Sequence, residues 1–361
     1  MSHGLLVRLR VTSPWRIGPD DGADDEVGRI YHSDSVGAAV AAAMRQLGLF
    51  EEWLEDTVRR PAGAVVRFSS CYPWQQRTLF VVPPRTLWPP ATAGKLRVKG
   101  ARFIPVSLVS TLLAEGHLSE DDWMVDGTSQ CLMRRESKTT PAGPFRLTLR
   151  SAAAVDRLAG GNVLLHRAAC LEFADDAGLW MLVEFTSADA RDRWAAPVLS
   201  ALRLLCDSGF GGGRSRGWGR AELVEAAPGE PGQLVVPGRA ANGDSPVTEA
   251  GEPPAPAATA HWLISLYSPA PDENVDWHRG QYSLVDRGGR VESPAGWGAV
   301  KKQLRMIEEG SVVVSAEPPR GVARDVAPEG FPHPVFRFGF ATSIPIPLQG
   351  LPAPRGGVAS S

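Results

Sequence analysis

Only four cysteines occur in the 361 residues, at positions 71, 131, 170 and 206. None forms a C-x-x-C pair and no histidine stands at ligand spacing from them, so neither a zinc site nor a disulfide framework is indicated. The remaining histidines beside His32 (His3, His117, His166, His261, His278 and His333) are just as scattered, and no paired carboxylates suggest a two-metal nuclease. No cofactor is expected. Long apolar runs are missing too: the longest, residues 36–44, has nine residues, against about 20 for a membrane-crossing helix. No basic stretch followed by an apolar one opens the sequence, so the expectation is a cytoplasmic chain without a membrane partner. A dominant charge is lacking as well, since 38 basic and 40 acidic residues leave a net charge of −2.

That near-neutral total hides segregation. Residues 75–103 hold six basic side chains (Arg77, Arg85, Lys95, Arg97, Lys99, Arg102) and no acidic one. Residues 133–150 hold five basic side chains, Arg134 and Arg135 among them, against the single acid Glu136. Acidic clusters lie elsewhere, at 20–26, 51–56 and 120–126. Basic stripes in a neutral chain suit an assembly subunit with one nucleic-acid face and other faces for protein.

The most informative segment is Gly209-Phe-Gly-Gly-Gly-Arg-Ser-Arg-Gly-Trp-Gly-Arg220, with six glycines and three arginines in twelve residues. Glycine allows left-handed backbone and close approach to a ligand. Successive N–H groups in such a turn attract anionic oxygens. Arg214, Arg216 and Arg220 add forked donors matched to phosphate, and Phe210 and Trp218 offer faces on which bases could stack. A Walker loop is excluded because no Gly-Lys-Ser/Thr follows. A dinucleotide fingerprint needs a strand before the loop and a helix after it, the reverse of the order here. Gly209, Gly211, Gly212, Gly213, Arg214, Ser215, Arg216, Gly217 and Trp218 are therefore the leading RNA-binding candidates. Lys95, Arg97, Lys99, Arg134, Arg135, His32 and Ser33 complete the set.

Alternation of apolar and basic residues predicts a strand over 5–11. Ser33 or Asp34 can cap a helix presenting Val36, Ala39, Val40, Met44 and Leu47, closed by Gly48. Strands are expected at 64–69, 78–82, 145–150, 163–173 and 179–185. A second helix carries Trp194, Val198, Leu199, Leu202 and Leu205 on one side, and a strand at 218–224 follows the glycine loop. The order matches a ferredoxin-like β-α-β-β-α-β unit, whose open sheet face serves RNA recognition. The expected architecture is α+β with two such domains: residues 1–225 with a basic, irregular insertion at about 83–144, and residues 261–350. A Pro/Ala/Gly-rich linker at 226–260 joins them, and a tail at 351–361 closes the chain. A hairpin is expected from 302–307 and 311–315, and 336–340 as the last strand.

The glycine loop after a helix, and the two-domain layout, resemble the RAMP superfamily of CRISPR proteins. Within it the chain is most similar to the fourth Csm subunit of type III-A effector complexes, a relative of the Cas-five group. Tyr31-His-Ser-Asp34, Phe68-Ser-Ser-Cys-Tyr-Pro73, Lys99-Gly-Ala-Arg-Phe-Ile-Pro105, Val155-Asp-Arg157, Ile307-Glu-Glu-Gly-Ser311 and His333-Pro-Val-Phe-Arg-Phe-Gly339 occur in the order of that family. Phe336 and Phe338 stand where the family more often has tyrosine. The resemblance implies a non-catalytic subunit that binds the repeat-derived 5′ handle of the guide RNA (crRNA). It also implies contacts with the large polymerase/cyclase-type subunit and the backbone RAMP subunits, and a thumb-like hairpin within 83–144. Other RAMP proteins are metal-independent endoribonucleases that process precursor guide RNA, and His32 is the best acid–base candidate for that alternative.

Overall fold

The computed structural model describes residues 3–18, 25–90, 93–135, 142–155, 163–237, 258–293 and 296–348. The apolar–basic alternation at the start forms β1 (His3–Val11), which pairs antiparallel with both β10 (Ala177–Phe185) and β11 (Ala221–Gly229). On the far side β10 pairs antiparallel with β2 (Val66–Phe68) and β3 (Tyr72–Gln75). Next come β4 (Thr78–Val81) and β5 (Ile104–Pro105), giving the order β11-β1-β10-β3-β4-β5.

Because side chains alternate along a strand, β1 serves two cores. Leu5, Val7, Leu9 and Val11 face α1 (Ser33–Gln46), α2 (Phe50–Thr57) and α5 (Ala188–Ser208). Helix α5 has the expected stripe of Trp194, Val198, Leu202 and Leu205, and the Ser187 hydroxyl caps it by accepting the Ala190 N–H at 3.1 Å. Leu47, expected on the α1 face, is the exposed residue closing that helix. The other sheet face, with Leu6, Tyr72, Trp180 and Leu182, packs on Trp262, Ile264, Val312 and Ile344. The expected open sheet face is therefore covered on both sides, because β10 reads apolar at nearly every position and needs two partners.

The segment 83–144 is not an irregular excursion. It holds α3 (Leu96–Lys99), α4 (Val106–Leu113), β6 (Trp123–Val125) and β7 (Leu132–Arg134), and it buries Val98, Phe103, Ile104 and Val109 in the second core. The projecting element lies after it. Strands β8 (Phe145–Val155) and β9 (Val163–Phe173) form a two-stranded ribbon in register over eleven pairs. Leu147, Leu149, Val163 and Leu165 are exposed along it. The expected linker also starts later than residue 226. Strand β11 runs to Gly229, then α6 (Pro231–Val235) follows, and Val235 and Val236 are buried. Residues 238–257 and the tail from 349 lie outside the described residues, as do Asp156 and Arg157.

The C-terminal region is built of strands: β12 (Thr259–Leu263), β13 (Leu284–Arg287), β14 (Arg290–Ser293), β15 (Gly296–Val300), β16 (Leu304–Ile307), β17 (Val312–Ser315), β18 (Gly321–Asp325), β19 (Phe336–Phe340) and β20 (Ser343–Ile346). No helix occurs among its described residues, so a second β-α-β-β-α-β unit is not present there. Its short β-branched segments broken by Gly and Pro lack the 3.6 period a helix needs. The hairpin expected around Glu308-Glu-Gly310 is replaced by two separate pairings. β16 joins β13, whereas β17 joins β12, with β20 on the other side of β12.

His261, on that central strand, is almost fully buried. Burial pushes its pKa from 6.5 down to about 4, against a backbone contact at Ser315 that raises it. The unfolded chain then binds the extra proton between these values, so the stabilisation is complete above pH 6.5 and is lost as pH falls towards 4. The loss amounts to about 3 kcal/mol. Denaturant unfolding at pH 7.5 and 5 should show about 2 kcal/mol of this difference, and His261→Gln should remove most of it. An equal difference in the variant would assign the pH dependence to other groups.

Candidate nucleic-acid interface

Helix α5 ends at Gly209, and the glycine loop runs from there to β11. The loop is pinned to the chain leaving β1: Gly212 N–H donates to Arg16 O at 2.8 Å, and Gly219 N–H to Pro14 O at 2.9 Å. Phe210 N–H closes the loop on Gly219 O at 3.2 Å. Gly211 and Gly219 are among the glycines this geometry requires. Gly211 has φ +87° and a Cβ there would lie 2.6 Å from Arg16 O; Gly219 has φ +77° and its Cβ would lie 2.1 Å from Phe210 O. The Phe210, Gly212 and Gly219 amides are thus spent inside the fold. What faces solvent is the short 3-10 turn Arg214–Arg216, with Arg214, Ser215 and Arg216 exposed; Gly212, Gly213, Gly217 and Trp218 are half-buried.

Phe210 is not a stacking face. It is buried and meets Trp15 edge-on at 4.4 Å and Tyr31 at 5.4 Å between ring centroids. Burial raises the Tyr31 hydroxyl pKa above the usual range, and that hydroxyl contacts the Gly211 amide. The loop is thereby seated on the residue that precedes the entrance of α1.

Beside it, stretches distant in sequence meet. His32, the residue before α1, makes no side-chain cap; its Nδ1 lies 2.7 Å from Glu309 Oε1. Ser70 Oγ donates to the same carboxylate and accepts the Ser33 N–H at 2.8 Å. Ser33 is buried, and its Oγ accepts the Leu266 N–H at 3.0 Å. Burial raises the Glu309 pKa, but His32 and Ser70 overcome this and hold it below the usual range. Asp34 takes Arg287 Nε at 3.1 Å and also pairs with Arg337. Burial alone would raise its pKa; Arg287 and Arg337 hold it well below the usual carboxylate range. His32 and Ser33 thus bind the N-terminal sheet to the C-terminal region.

The family described as CRISPR Csm4 C-terminal domain matches residues 257–346. Over those residues the chain is similar to Csm4. Three solved structures show the same fold. One is a "Crystal structure of Csm3-Csm4 subcomplex in the type III-A CRISPR-Cas interference complex", with TM-score 0.58 and 14% identity over 96% of this chain and 100% of that one. Another, "Crystal structure of Csm1-Csm4 cassette in complex with cA4", has TM-score 0.51 and 15% identity over 98% and 100%. A third, the Csm1-Csm4 cassette in complex with AMPPNP, has TM-score 0.51 and 13% identity over 96% and 98%. No curated protein matches the sequence.

The remaining candidates lie apart from the loop. Lys95, Arg97 and Lys99 are exposed on or beside α3, which packs on β6 near the β5 end of the sheet. The loop feeds β11, the opposite edge, five strand spacings or about 24 Å away. Lys95 pairs with Asp121, and its N–H donates to Glu120 at 3.1 Å. Arg134 is exposed, and Arg135 Nε donates to Trp123 O at 2.9 Å. The acidic cluster at 120–122 therefore offsets part of the basic stripe.

Sequence reading missed the groove of about 810 Å³ at the base of the ribbon, where Arg10, Arg146, Arg150, Glu172 and Glu222 meet. Arg146 and Arg150 share Glu172, and Arg10 pairs with Glu222. Strand alternation in β8 places Arg146 and Arg150 on one face, a signal available in the sequence; their common acid is not.

The loop separates structural from ligand-facing residues. Gly219→Ala should cost about 1–3 kcal/mol from left-handed backbone strain alone, with the Phe210 clash added. The pair Arg214→Ala/Arg216→Ala, on exposed turn positions, should stay within about 0.5 kcal/mol of the parent. Thermal melts monitored by circular dichroism measure both; equal losses would make the arginines part of the fold.

Proposed function

We propose that this chain is the Csm4 subunit of a type III-A effector complex and holds the repeat-derived 5′ handle of crRNA without cutting it. In this role it docks to the large polymerase/cyclase-type subunit and to the backbone RAMP subunits. The observation that carries the reading is an arginine turn exposed on a loop whose Gly212 and Gly219 amides are locked into the fold. The Csm4 C-terminal match and the similarity to chains from Csm1-Csm4 and Csm3-Csm4 structures support the assembly part. The strand order β11-β1-β10-β3, with α1 and α5 on one face, supports a ferredoxin-like first domain. We assign the thumb to the β8–β9 ribbon rather than to 83–144, because the ribbon projects and carries exposed apolar side chains that could wedge between nucleotides.

Each arginine bound to phosphate by charged hydrogen bonds contributes about 1.5–3 kcal/mol, so Arg214→Ala and Arg216→Ala should each weaken handle binding tenfold or more. Titration of labelled handle RNA measures this. Silent arginines would remove the loop from the RNA site. Single-strand contacts also give a salt slope of roughly −0.7 per phosphate, which Lys95, Arg97 and Lys99 replacement should flatten if that distant patch shares the RNA.

The second reading, a processing endoribonuclease, is favoured by the His32–Glu309 pair, which orients an imidazole as acid–base catalysts require. Against it, the pair also fastens the two halves of the chain, and only 14% of the His32 side chain is exposed. His32→Ala should leave guide-RNA lengths in cells unchanged. Accumulated precursor with an intact assembly would establish the nuclease reading.

A further inference from the structure

The acid that meets the glycine loop comes from the C-terminal region: Arg214 forms an ion pair with Glu292, 78 residues away on β14. Strands β14 and β15 make a separate two-stranded ribbon, pairing Arg290 with Val300 and Glu292 with Trp297. Its position is fixed at several points. Ser293 Oγ lies 2.7 Å from His333 Nε2, Lys301 N–H donates to Gly289 O at 2.9 Å, and Lys302 N–H donates to Val326 O at 3.0 Å. Between residues 290 and 302 the basic side chains are Arg290, Lys301 and Lys302, and the single acid is Glu292. Arg290 and Lys302 are exposed. Arg290 donates from Nη1 to Gly298 O at 2.8 Å, a neutral carbonyl that orients the guanidinium and leaves its charge uncompensated by that contact. The ribbon and the two lysines that follow it thus bring three cations to the side of the turn proposed to hold RNA, and their one acid, Glu292, occupies that turn's arginine.

We propose that the β14–β15 ribbon is the second wall of the RNA site. Arg290, Lys301 and Lys302 contact phosphates of the strand that crosses Arg214 and Arg216, and Glu292 is the carboxylate that RNA displaces from Arg214. This rests on the handle-binding reading above. The chemistry is consistent on both sides. A carboxylate holds the guanidinium fork as a phosphate would, and an exposed pair of this kind is weak enough to exchange. A protein contact through the same cations is the competing outcome.

The test uses the full chain and a fluorescein-labelled single-stranded RNA carrying the repeat-derived handle, titrated at several salt concentrations. Arg290→Ala/Lys302→Ala should make the slope of log affinity against log salt less steep by about 1.4, from two lost phosphate contacts. Arg290→Lys/Lys302→Arg, which keeps both charges, should retain the parent slope. Glu292→Gln should tighten binding roughly 1.5- to 5-fold, because an exposed pair no longer competes. If the parent chain binds no handle RNA, both this inference and the handle reading fall. If the parent binds and Arg214→Ala/Arg216→Ala weakens it, but the ribbon variant keeps the parent slope, the ribbon inference alone falls. Weaker binding by Glu292→Gln would overturn the displacement step, since the carboxylate would then support Arg214 rather than compete for it.

Discussion

The buried carboxylate of Asp34 is the constraint on which the arrangement of this chain depends. It sits in the first turn of α1 with a side chain only 1% exposed, and Arg287 from β13 and Arg337 from β19 converge on it. Removing one partner of such a group leaves a charge stranded in the interior, at a cost of about 3–5 kcal/mol. The pairing therefore ties the entrance of α1 to the C-terminal strands. Tyr31 and His32 precede that entrance directly, and the glycine loop rests on Tyr31. A buried ion pair consequently helps set where the exposed arginines stand.

Covering both faces of the main sheet has a comparable effect. Leu6, Tyr72 and Trp180 would form an apolar surface on the first domain alone; Trp262 and Ile264 bury it. Edges, loops and ribbons stay exposed, and Arg214, Arg216 and Arg290 lie on them. The two halves share one core, so neither behaves as an independent bead on a string.

What could be read from the sequence follows the range of the interaction. The period-2 pattern of β1 and the 3.6 period of α5 are local, and both elements form where the pattern places them. The glycine loop was legible because left-handed backbone imposes a residue type, although the purpose of its amides was not. Pairings between distant segments were hidden. Residues 304–307 and 312–315 look like adjacent arms of a hairpin, yet each finds a better partner elsewhere, in β13 and β12. The stretches containing His32, Ser70 and Glu309 could be singled out one by one, but nothing local announces that they share a carboxylate. The acids that answer basic residues were hidden for the same reason: Asp121, Glu172 and Glu292 pair with Lys95, Arg146 and Arg214 across the fold.

The anchoring of the glycine loop to Pro14 and Arg16 also bears on time. A loop that must fold around its ligand admits only the fraction of encounters that catch it in the competent shape. Here the shape is built by three backbone hydrogen bonds before any ligand arrives. Under the handle-binding proposal, capture proceeds at the pace of charge-guided diffusion, and the lifetime of a bound strand is set by how fast its phosphates leave rather than by how fast the loop unravels.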